Sequence, residues 1–85
     1  MSVETQAITQ SAQLPVLRNG SQGDAVVLLQ QLLESQGYRT GRVDGKFGTN
    51  TEKAVRKYQT TFALSVDGIV GSKTWNKLGD RLINP

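Results

Sequence analysis

The stretch Asp44-Gly45-Lys46-Phe47-Gly48-Thr49-Asn50-Thr51-Glu52 decides the fold, because it predicts a tight turn that runs directly into a helix. Gly45 suits a backbone with positive φ, and the carboxylate of Asp44 can accept hydrogen bonds from amides further along the turn. Thr49 and Glu52 have the spacing of a capping box at a helix N-terminus. We therefore predict a rigid corner followed by a helix that begins at Thr49 or Asn50.

A second copy of this turn lies 23 residues downstream, at Asp67-Gly68-Ile69-Val70-Gly71-Ser72-Lys73-Thr74. Asp, Gly, Gly and Thr recur in register, and Ser72 is the predicted N-cap of the helix that follows the second copy. The apolar residue in the middle of each copy, Phe47 or Val70, is predicted to fill the core. The sequence therefore indicates a duplicated turn-to-helix unit, in which turn-forming roles are assigned to Gly45, Gly48, Asp67, Gly68 and Gly71.

Two glutamines occupy equivalent places in the first two predicted helices. The segments Ala25-Val26-Val27-Leu28-Leu29-Gln30 and Ala54-Val55-Arg56-Lys57-Tyr58-Gln59 share a pattern in which Gln follows an apolar residue. Partly buried turns leave backbone N–H and C=O groups that need partners, so we predict that these amides bond to turn backbone at the edge of the core. Recognition of a sugar by the same amides is the alternative.

The remaining pattern predicts a small all-α domain of three helices over residues 14–83. The first helix is expected from an N-cap at Ser21 to about Gln36, with Gly37 just beyond its end. The second and third helices follow the two turns, over about residues 49–61 and 72–82, and each has one apolar face. Residues 1–13 are polar and are predicted to be a flexible N-terminal segment. Leu14-Pro15-Val16-Leu17 is expected to pack across the helices as a short strap.

The composition excludes several classes of function. The chain of 85 residues makes one small domain and contains neither cysteine nor histidine. Their absence removes disulfides, the usual zinc ligands and the Ser-His-Asp and Cys-His catalytic arrangements, so no metal or cofactor is expected. The net charge of +3 favours an acidic partner only weakly. Without an apolar run of membrane-spanning length or a signal peptide, the sequence predicts a cytosolic chain, or else a piece or a processed form of a larger protein.

Four segments of the chain together resemble a known family. They are Leu17-Arg18-x-Gly20-Ser21-x-Gly23, Val26-x-x-Leu29-Gln30-x-x-Leu33-x-x-x-Gly37-Tyr38, Asp44-Gly45-x-Phe47-Gly48-x-x-Thr51-x-x-Ala54-Val55-x-x-Tyr58-Gln59 and Leu64-x-Val66-Asp67-Gly68-Ile69-Val70-Gly71-x-x-Thr74-Trp75-x-x-Leu78. The pattern resembles the three-helix peptidoglycan-binding domain that is appended to bacterial cell-wall hydrolases. Tyr58, Ala63 and Ser72 depart from it, where the family usually has Phe, Gly and Pro, but each departure is compatible with the fold.

The resemblance implies a non-catalytic module that holds an enzyme on the bacterial cell wall. The implied partners are the glycan or the stem peptide of peptidoglycan, together with a hydrolase domain in the same or another chain. The implied location is the cell envelope or the extracellular space.

Six side chains are candidates for contact with such a ligand. A ring face of Tyr38 or Trp75 can stack on the apolar face of a sugar, although a Trp at helical spacing from Leu78 is also typical of a core. Arginines that flank the turns can pair with ligand carboxylates, or they remain ordinary solvated charges. These arginines are Arg18, Arg39 and Arg42, and Asp44 is the sixth candidate beside its role in the turn.

Two other interpretations stay open. The mild positive charge and the Arg56-Lys57 pair suggest a helical domain that binds a protein or nucleic acid, with nucleic acid the less favoured partner. A small lytic enzyme would need a carboxylate pair drawn from Asp44, Glu52 and Asp67. A chain this small has little material for a substrate cleft, so we do not expect an enzyme.

Overall fold

The architecture is described by a computed structural model over residues 14–83. It contains three helices, α1 (Asp24–Ser35), α2 (Thr49–Thr61) and α3 (Ser72–Ile83). Between residues 14 and 83, β-type pairing is limited to two isolated bridges, Leu17 with Val70 and Gln22 with Lys46. The predicted all-α, three-helix class is therefore confirmed. The flexible segment predicted for residues 1–13 lies outside the described residues.

The core forms where the apolar faces of the three helices meet. Phe47 and Val70 enter it from the two turns, as predicted, and full burial of a side chain of this size contributes about 1.5–3 kcal/mol. One buried side chain of each turn therefore anchors that turn to the core between the helices. The buried apolar residues are Leu17, Val26, Leu29, Leu33, Phe47, Ala54, Val55, Tyr58, Val70, Trp75 and Leu78.

The predicted strap pairs with the second turn. The N–H of Leu17 donates to the Val70 carbonyl at 3.1 Å, and the N–H of Val70 donates to the Leu17 carbonyl at 2.8 Å. The Pro15 carbonyl accepts a hydrogen bond from Trp75 Nε1 at 2.9 Å. Leu17 is buried, so the strap closes one side of the core, as the sequence predicts.

The predicted side-chain caps are wrong, because a glycine precedes each helix instead. α1 begins after Gly23 without a side-chain cap, and Ser21 Oγ accepts a hydrogen bond from the N–H of Arg18. The chain before α1 cannot turn into a helix at Ser21, because it pairs with the first turn: Phe47 donates to the Ser21 carbonyl at 2.9 Å and Gly23 to the Gly45 carbonyl at 3.0 Å.

The second and third helices begin in the same way. α2 starts at Thr49, as predicted, but its cap position is Gly48 and no side chain caps it. Glu52 does not close a capping box, because its carboxylate bonds to Asn19 Nδ2 and to Arg56 Nε, both at 3.1 Å. Ser72 is likewise the first residue of α3, and the carbonyl before it, on Gly71, accepts the first helical hydrogen bond from Trp75.

The ends of α1 and α2 also share one geometry. Gly37 follows α1 with a φ of 91°, as predicted, and Ala63 follows α2 with a φ of 57°. The next residue in each case, Tyr38 or Leu64, donates its N–H to a carbonyl inside the helix at 2.8 Å. This is the hydrogen bonding of a Schellman motif, in which glycine is the favoured residue. Ala63 therefore carries backbone strain that Gly37 avoids.

Candidate functional site

Gln30 of α1 holds the first turn with one buried amide. Its Oε1 accepts hydrogen bonds from the backbone N–H groups of Asp44 (3.0 Å) and Gly45 (2.9 Å). Its Nε2 donates to the Lys46 carbonyl (3.0 Å) and to Thr51 Oγ1 (3.1 Å). Gln30 is 1% exposed, so its amide supplies partners to turn backbone that would otherwise lack them.

Gln59 of α2 makes the same contacts with the second turn. Its Oε1 accepts hydrogen bonds from the N–H groups of Asp67 (3.2 Å) and Gly68 (3.0 Å). Its Nε2 donates to the Ile69 carbonyl (2.9 Å) and to Thr74 Oγ1 (3.2 Å). The residue is also 1% exposed. The predicted bonding of both amides to turn backbone is confirmed, and their burial at the base of the two depressions leaves little amide surface for a sugar.

The aspartates that open the two turns are held in the ionised form. Oδ1 of Asp44 accepts a hydrogen bond from the N–H of Lys46, and Oδ1 of Asp67 accepts one from the N–H of Ile69, both at 2.9 Å. These backbone bonds are the main cause that lowers the pKa of each carboxyl below its ordinary value, and the glutamine amides add to the effect. A general acid needs the opposite shift.

The turn glycines occupy positions that a side chain would disturb. Gly45 and Gly68 have φ values of 77° and 73°. A Cβ would lie 3.1 Å from Val27 Cγ2 at the first position and 3.0 Å from Arg56 Nε at the second. Both turns therefore need glycine for backbone conformation and for close packing.

An open depression lies beside each turn, and the two depressions are lined by corresponding residues. The first has a volume of about 570 Å³ and the second about 250 Å³. Because positions 23 apart line both, the second is the smaller counterpart of the first. The shared lining is Asp44, Lys46, Gly48, Thr49, Asn50 and Thr51 in the first and Asp67, Ile69, Gly71, Ser72, Lys73 and Thr74 in the second.

The two halves differ in the length of chain between helix and turn. Asp44 lies 14 residues after Gln30, whereas Asp67 lies 8 residues after Gln59. The first connection is therefore six residues longer. Because each helix ends just before a residue of positive φ, Gly37 or Ala63, half of the difference lengthens α1 and half lengthens the loop.

The longer loop supplies a wall of the first depression. Thr40, Gly41 and Arg42 line it, and a Cβ on Gly41 would lie 3.3 Å from Asn50 Nδ2. The loop therefore crosses close to the first turn of α2. The second connection lacks these extra residues, and Leu64 and Ser65 line its depression instead.

The first depression offers polar and cationic groups to a ligand. Arg42, Lys46 and Asn50 are exposed and line it. In the second depression, Ile69 takes the place of Lys46 and Lys73 takes the place of Asn50. Guanidinium, ammonium and amide groups bond to carboxylates and hydroxyls. The first depression therefore presents two cations and an amide beside the ionised Asp44, an arrangement suited to a polar ligand.

The structure separates the six predicted ligand residues. Arg42 and Asp44 line the first depression, whereas Arg18 and Arg39 are exposed outside it. Trp75 is 2% exposed and its Nε1 is bonded to the strap. Its ring packs in the core and presents no face to a ligand, so the core alternative noted for this residue is the one that the structure favours.

Tyr38 lies away from the first depression, in an aromatic cluster beside the C-terminal ends of the helices. Its ring centre is 4.9 Å from that of Tyr58, and Tyr58 is 4.6 Å from Phe62. Tyr58 is fully buried and donates to Gln36 Oε1 at 3.1 Å, and burial raises its pKa to about 12. Tyr38, Phe62 and Arg81 line a third depression of about 360 Å³. The ring of Tyr38 therefore packs mainly against the rings of Tyr58 and Phe62.

Sequence reasoning did not propose several polar residues that line the first depression as ligand contacts, among them Gln22, Thr40, Lys46 and Asn50. For Thr40 the available signal was the unequal spacing between the two copies, because the six additional residues occur before only one of two otherwise matching turns. Comparing the copies position by position would have identified the loop as a feature that the shared turn does not require.

Arg56 is exposed, but its guanidinium is bonded to neighbouring groups of the same chain. Its Nε bonds to Glu52 at 3.1 Å, and its guanidinium approaches the carbonyls of Val66 and Asp67 at 3.4 Å. Lys57 beside it is exposed. The Arg56-Lys57 pair thus offers less charge to a nucleic acid than its sequence suggests.

Fold and geometry together define a class: a small three-helix domain with an open depression beside a turn that leads into a helix. Among residues 14–83, no group of three or more acidic, histidine or cysteine side chains could hold a metal ion. In the same part of the chain, no helix has the length and hydropathy that crossing a membrane requires.

Comparison with known families identifies this class. The family model described as "Putative peptidoglycan binding domain" matches residues 22–78, which is more than half of the chain. The chain belongs to this peptidoglycan-binding domain family, and the resemblance seen in the sequence is confirmed.

Relatives with curated names include cell-wall enzymes. The chain is 46% identical over 59 residues to the spore cortex-lytic enzyme of Bacillus cereus, covering 69% of this chain and 23% of that protein. It is 42% identical over 66 residues to the zinc D-Ala-D-Ala carboxypeptidase of Streptomyces albus G, covering 73% and 25%. The chain therefore spans about a quarter of the length of these relatives.

Solved structures agree with the family assignment. The crystal structure of the SleB N-terminal domain superposes with a TM-score of 0.78 at 40% identity, covering 81% of this chain and 94% of that one. A peptidoglycan-binding protein from Clostridioides difficile, solved in complex with glutamine hydroxamate, has a TM-score of 0.75 at 41% identity, covering 78% and 41%. At these identities the likeness extends beyond the fold to the sequence of the domain.

Proposed function

We propose that this domain binds peptidoglycan through the first depression. The observation that carries the proposal is the comparison of the two turns, which share their internal hydrogen bonds but not their surroundings. Only the first has the longer loop and the larger depression with Arg42 and Lys46. The shared bonds are explained by folding, so the additional features of the first turn are the ones available for function. Family membership supports peptidoglycan as the ligand.

The chemistry of the depression matches that ligand. Stem peptides carry carboxylates and glycan strands carry hydroxyl and amide groups. Arg42 and Lys46 can pair with the carboxylates, and the Asn50 amide can donate to and accept from the glycan. The depression is open to one side, which leaves room for the rest of a polymer strand to extend beyond it.

We further propose that the domain is non-catalytic and positions a cell-wall hydrolase domain, in the same or another chain, in the cell envelope. The pKa of Glu52 is lowered by hydrogen bonds from Asn19 and Arg56, and those of Asp44 and Asp67 are lowered as well. These carboxyls are poor proton donors at neutral pH. The cell-wall enzymes among the relatives are about four times the length of the matched region, which supports a division into binding and catalytic parts.

Sedimentation with purified insoluble sacculi tests the proposal. The double variant Arg42→Ala/Lys46→Ala is expected to bind about tenfold more weakly than the unmodified chain, the equivalent of one or two charge-assisted hydrogen bonds. The matched control Lys53→Ala/Lys57→Ala removes the same charge from the exposed side of α2 and should bind like the unmodified chain.

The same control distinguishes peptidoglycan binding from the main alternative, which is a basic face that binds a protein or nucleic acid. Loss of binding only in Lys53→Ala/Lys57→Ala, or affinity for duplex DNA at low salt, would favour a basic interaction face instead. An unmodified chain that stays in the supernatant would contradict peptidoglycan binding. Release of soluble muropeptides by this chain alone would contradict the non-catalytic role.

A further inference from the structure

The loop that lines one wall of the first depression is held to α1 by one carboxylate. Glu34 Oε2 accepts hydrogen bonds from the backbone N–H of Thr40 at 2.7 Å and from Thr40 Oγ1 at 3.1 Å. Thr40 is 3% exposed, and its hydroxyl also lies 3.4 Å from the Arg42 carbonyl. Hydrogen bonds to an ionised acceptor are stronger than neutral ones. A single residue thus connects α1 to the middle of the loop.

Little else in the described structure holds this loop. Among residues 14–83, no backbone-to-backbone hydrogen bond outside the helices involves residues 39–43. Arg39, Gly41 and Arg42 are exposed. The bonds from Glu34 to Thr40 are therefore the principal restraint between the end of α1 and the start of the turn.

Of the two equivalent positions, only the one in the half with the longer loop holds a glutamate. Glu34 lies four residues after Gln30, in the part of α1 that extends beyond the equivalent part of α2. The residue four after Gln59 is Ala63, which already lies outside α2 and has positive φ. The carboxylate and the loop are thus both present in the first half and both absent from the second.

We propose that Glu34 is a positioning residue for peptidoglycan binding, because through Thr40 it holds the loop that presents Arg42 to the first depression. Glu34 does not itself line that depression. Its role depends first on an acceptor oxygen at this position, and the negative charge strengthens the bonds that this oxygen accepts. The inference rests on the proposed function, since it concerns how the same site is assembled for a carboxylate-bearing ligand.

Three variants in the full chain test this role. Glu34→Ala is expected to bind sacculi about tenfold more weakly, because the loop loses a charge-assisted bond that keeps Arg42 in place. Glu34→Gln should retain most of the affinity, because its amide oxygen can accept the same bonds. Asp80→Ala removes an exposed carboxylate outside the loop and should bind like the unmodified chain, which controls for the change in net charge.

The exchange rate of the Thr40 amide, measured by NMR, reports the restraint directly. We expect faster exchange in Glu34→Ala and little change in Glu34→Gln. Equal affinity of Glu34→Ala and Asp80→Ala, an unchanged Thr40 exchange rate, or loss of binding in a folded Glu34→Gln would overturn the proposal. If Glu34→Ala does not fold, Thr40→Val removes one of the two bonds, and unchanged affinity there would overturn it equally. An unmodified chain that fails to bind sacculi would instead contradict the proposed function.

Discussion

At the scale of single residues, two buried glutamine amides explain why the turns are ordered. Gln30 and Gln59 each bond to two N–H groups and one carbonyl of a turn and to one threonine hydroxyl. A buried backbone group left without a partner costs about 1–3 kcal/mol, so an amide that satisfies three of them is hard to replace. No apolar residue of the same size can do so.

Replacing Gln59 by Leu is therefore expected to lower the free energy of unfolding by about 3 kcal/mol, because the N–H groups of Asp67 and Gly68 lose their acceptor. Urea denaturation measures the change. The control Gln31→Leu alters an exposed glutamine on α1 and should change stability by less than about 0.5 kcal/mol. Equal stabilities of the two variants would show that the amide is dispensable.

Ala63 and Gly37 provide a reciprocal pair at equivalent helix ends. Ala63→Gly should raise the free energy of unfolding by about 1 kcal/mol, because Gly adopts the positive φ of 57° without strain. Gly37→Ala should lower it by a similar amount, since a Cβ there meets no atom within 4 Å and only the backbone term remains. Thermal unfolding of both variants shows whether the two changes in the free energy of unfolding have the predicted opposite signs. A destabilised Ala63→Gly would show that the strain is not relieved by glycine.

At the scale of elements, the helices could be predicted from the sequence but their N-terminal caps could not. The spacing of Val26, Leu29 and Leu33 predicts α1 because burial of an apolar face depends on sequence period alone. The cap at Ser21 failed because the segment before α1 pairs with the first turn, which is a contact between distant residues. The local helix and capping propensities of a sequence carry no information about such contacts.

The residues of the candidate site divide in the same way, into those that the local sequence indicates and those that depend on contacts between distant residues. Arg42 and Asp44 could be predicted because they adjoin a turn that is visible in the sequence. Trp75 was ambiguous because an aromatic ring suits both a core and a sugar, and only the packing of α3 against the strap decides between them. Thr40 and Asn50 were missed because they line one depression from a loop and from a helix that are separate in sequence, although the unequal length of the two connections was already present in the sequence.

The turns also make stability depend on pH in a defined direction. The pKa of Asp67 in the folded domain is lowered from its ordinary value of 3.8, chiefly by the N–H of Ile69. Its stabilising contribution is therefore fully present above the unfolded pKa and is lost as the pH falls through the lowered folded pKa.

Asp67→Asn should accordingly reduce the fall in melting temperature on acidification between about pH 6 and pH 2. The carboxyls of Asp44, Glu34 and Glu52 have lowered pKa values too, so part of the fall will remain. Asp80→Asn, a change of the same charge on α3, serves as the comparison. Identical acid profiles for Asp67→Asn and the unmodified chain would contradict the role of the turn carboxylate.

At the scale of the whole molecule, the two turns share their internal structure but differ in the loop and the depression beside them. Both join a buried glutamine to the start of the next helix, and both place one apolar side chain in the core. The first differs by its longer loop, held by Glu34, and by the depression that this loop helps to form. The second turn is therefore a control for the first within the same chain, which makes the location of the ligand site directly testable.

The most direct measurement is an NMR titration of the domain with soluble peptidoglycan fragments. Peptidoglycan binding at the first depression predicts shifts of the backbone amides of Gly41, Lys46 and Asn50, while the corresponding amides of Ile69 and Lys73 stay unmoved. Equal or larger shifts at Ile69 and Lys73, or no shifts at either turn, would contradict it.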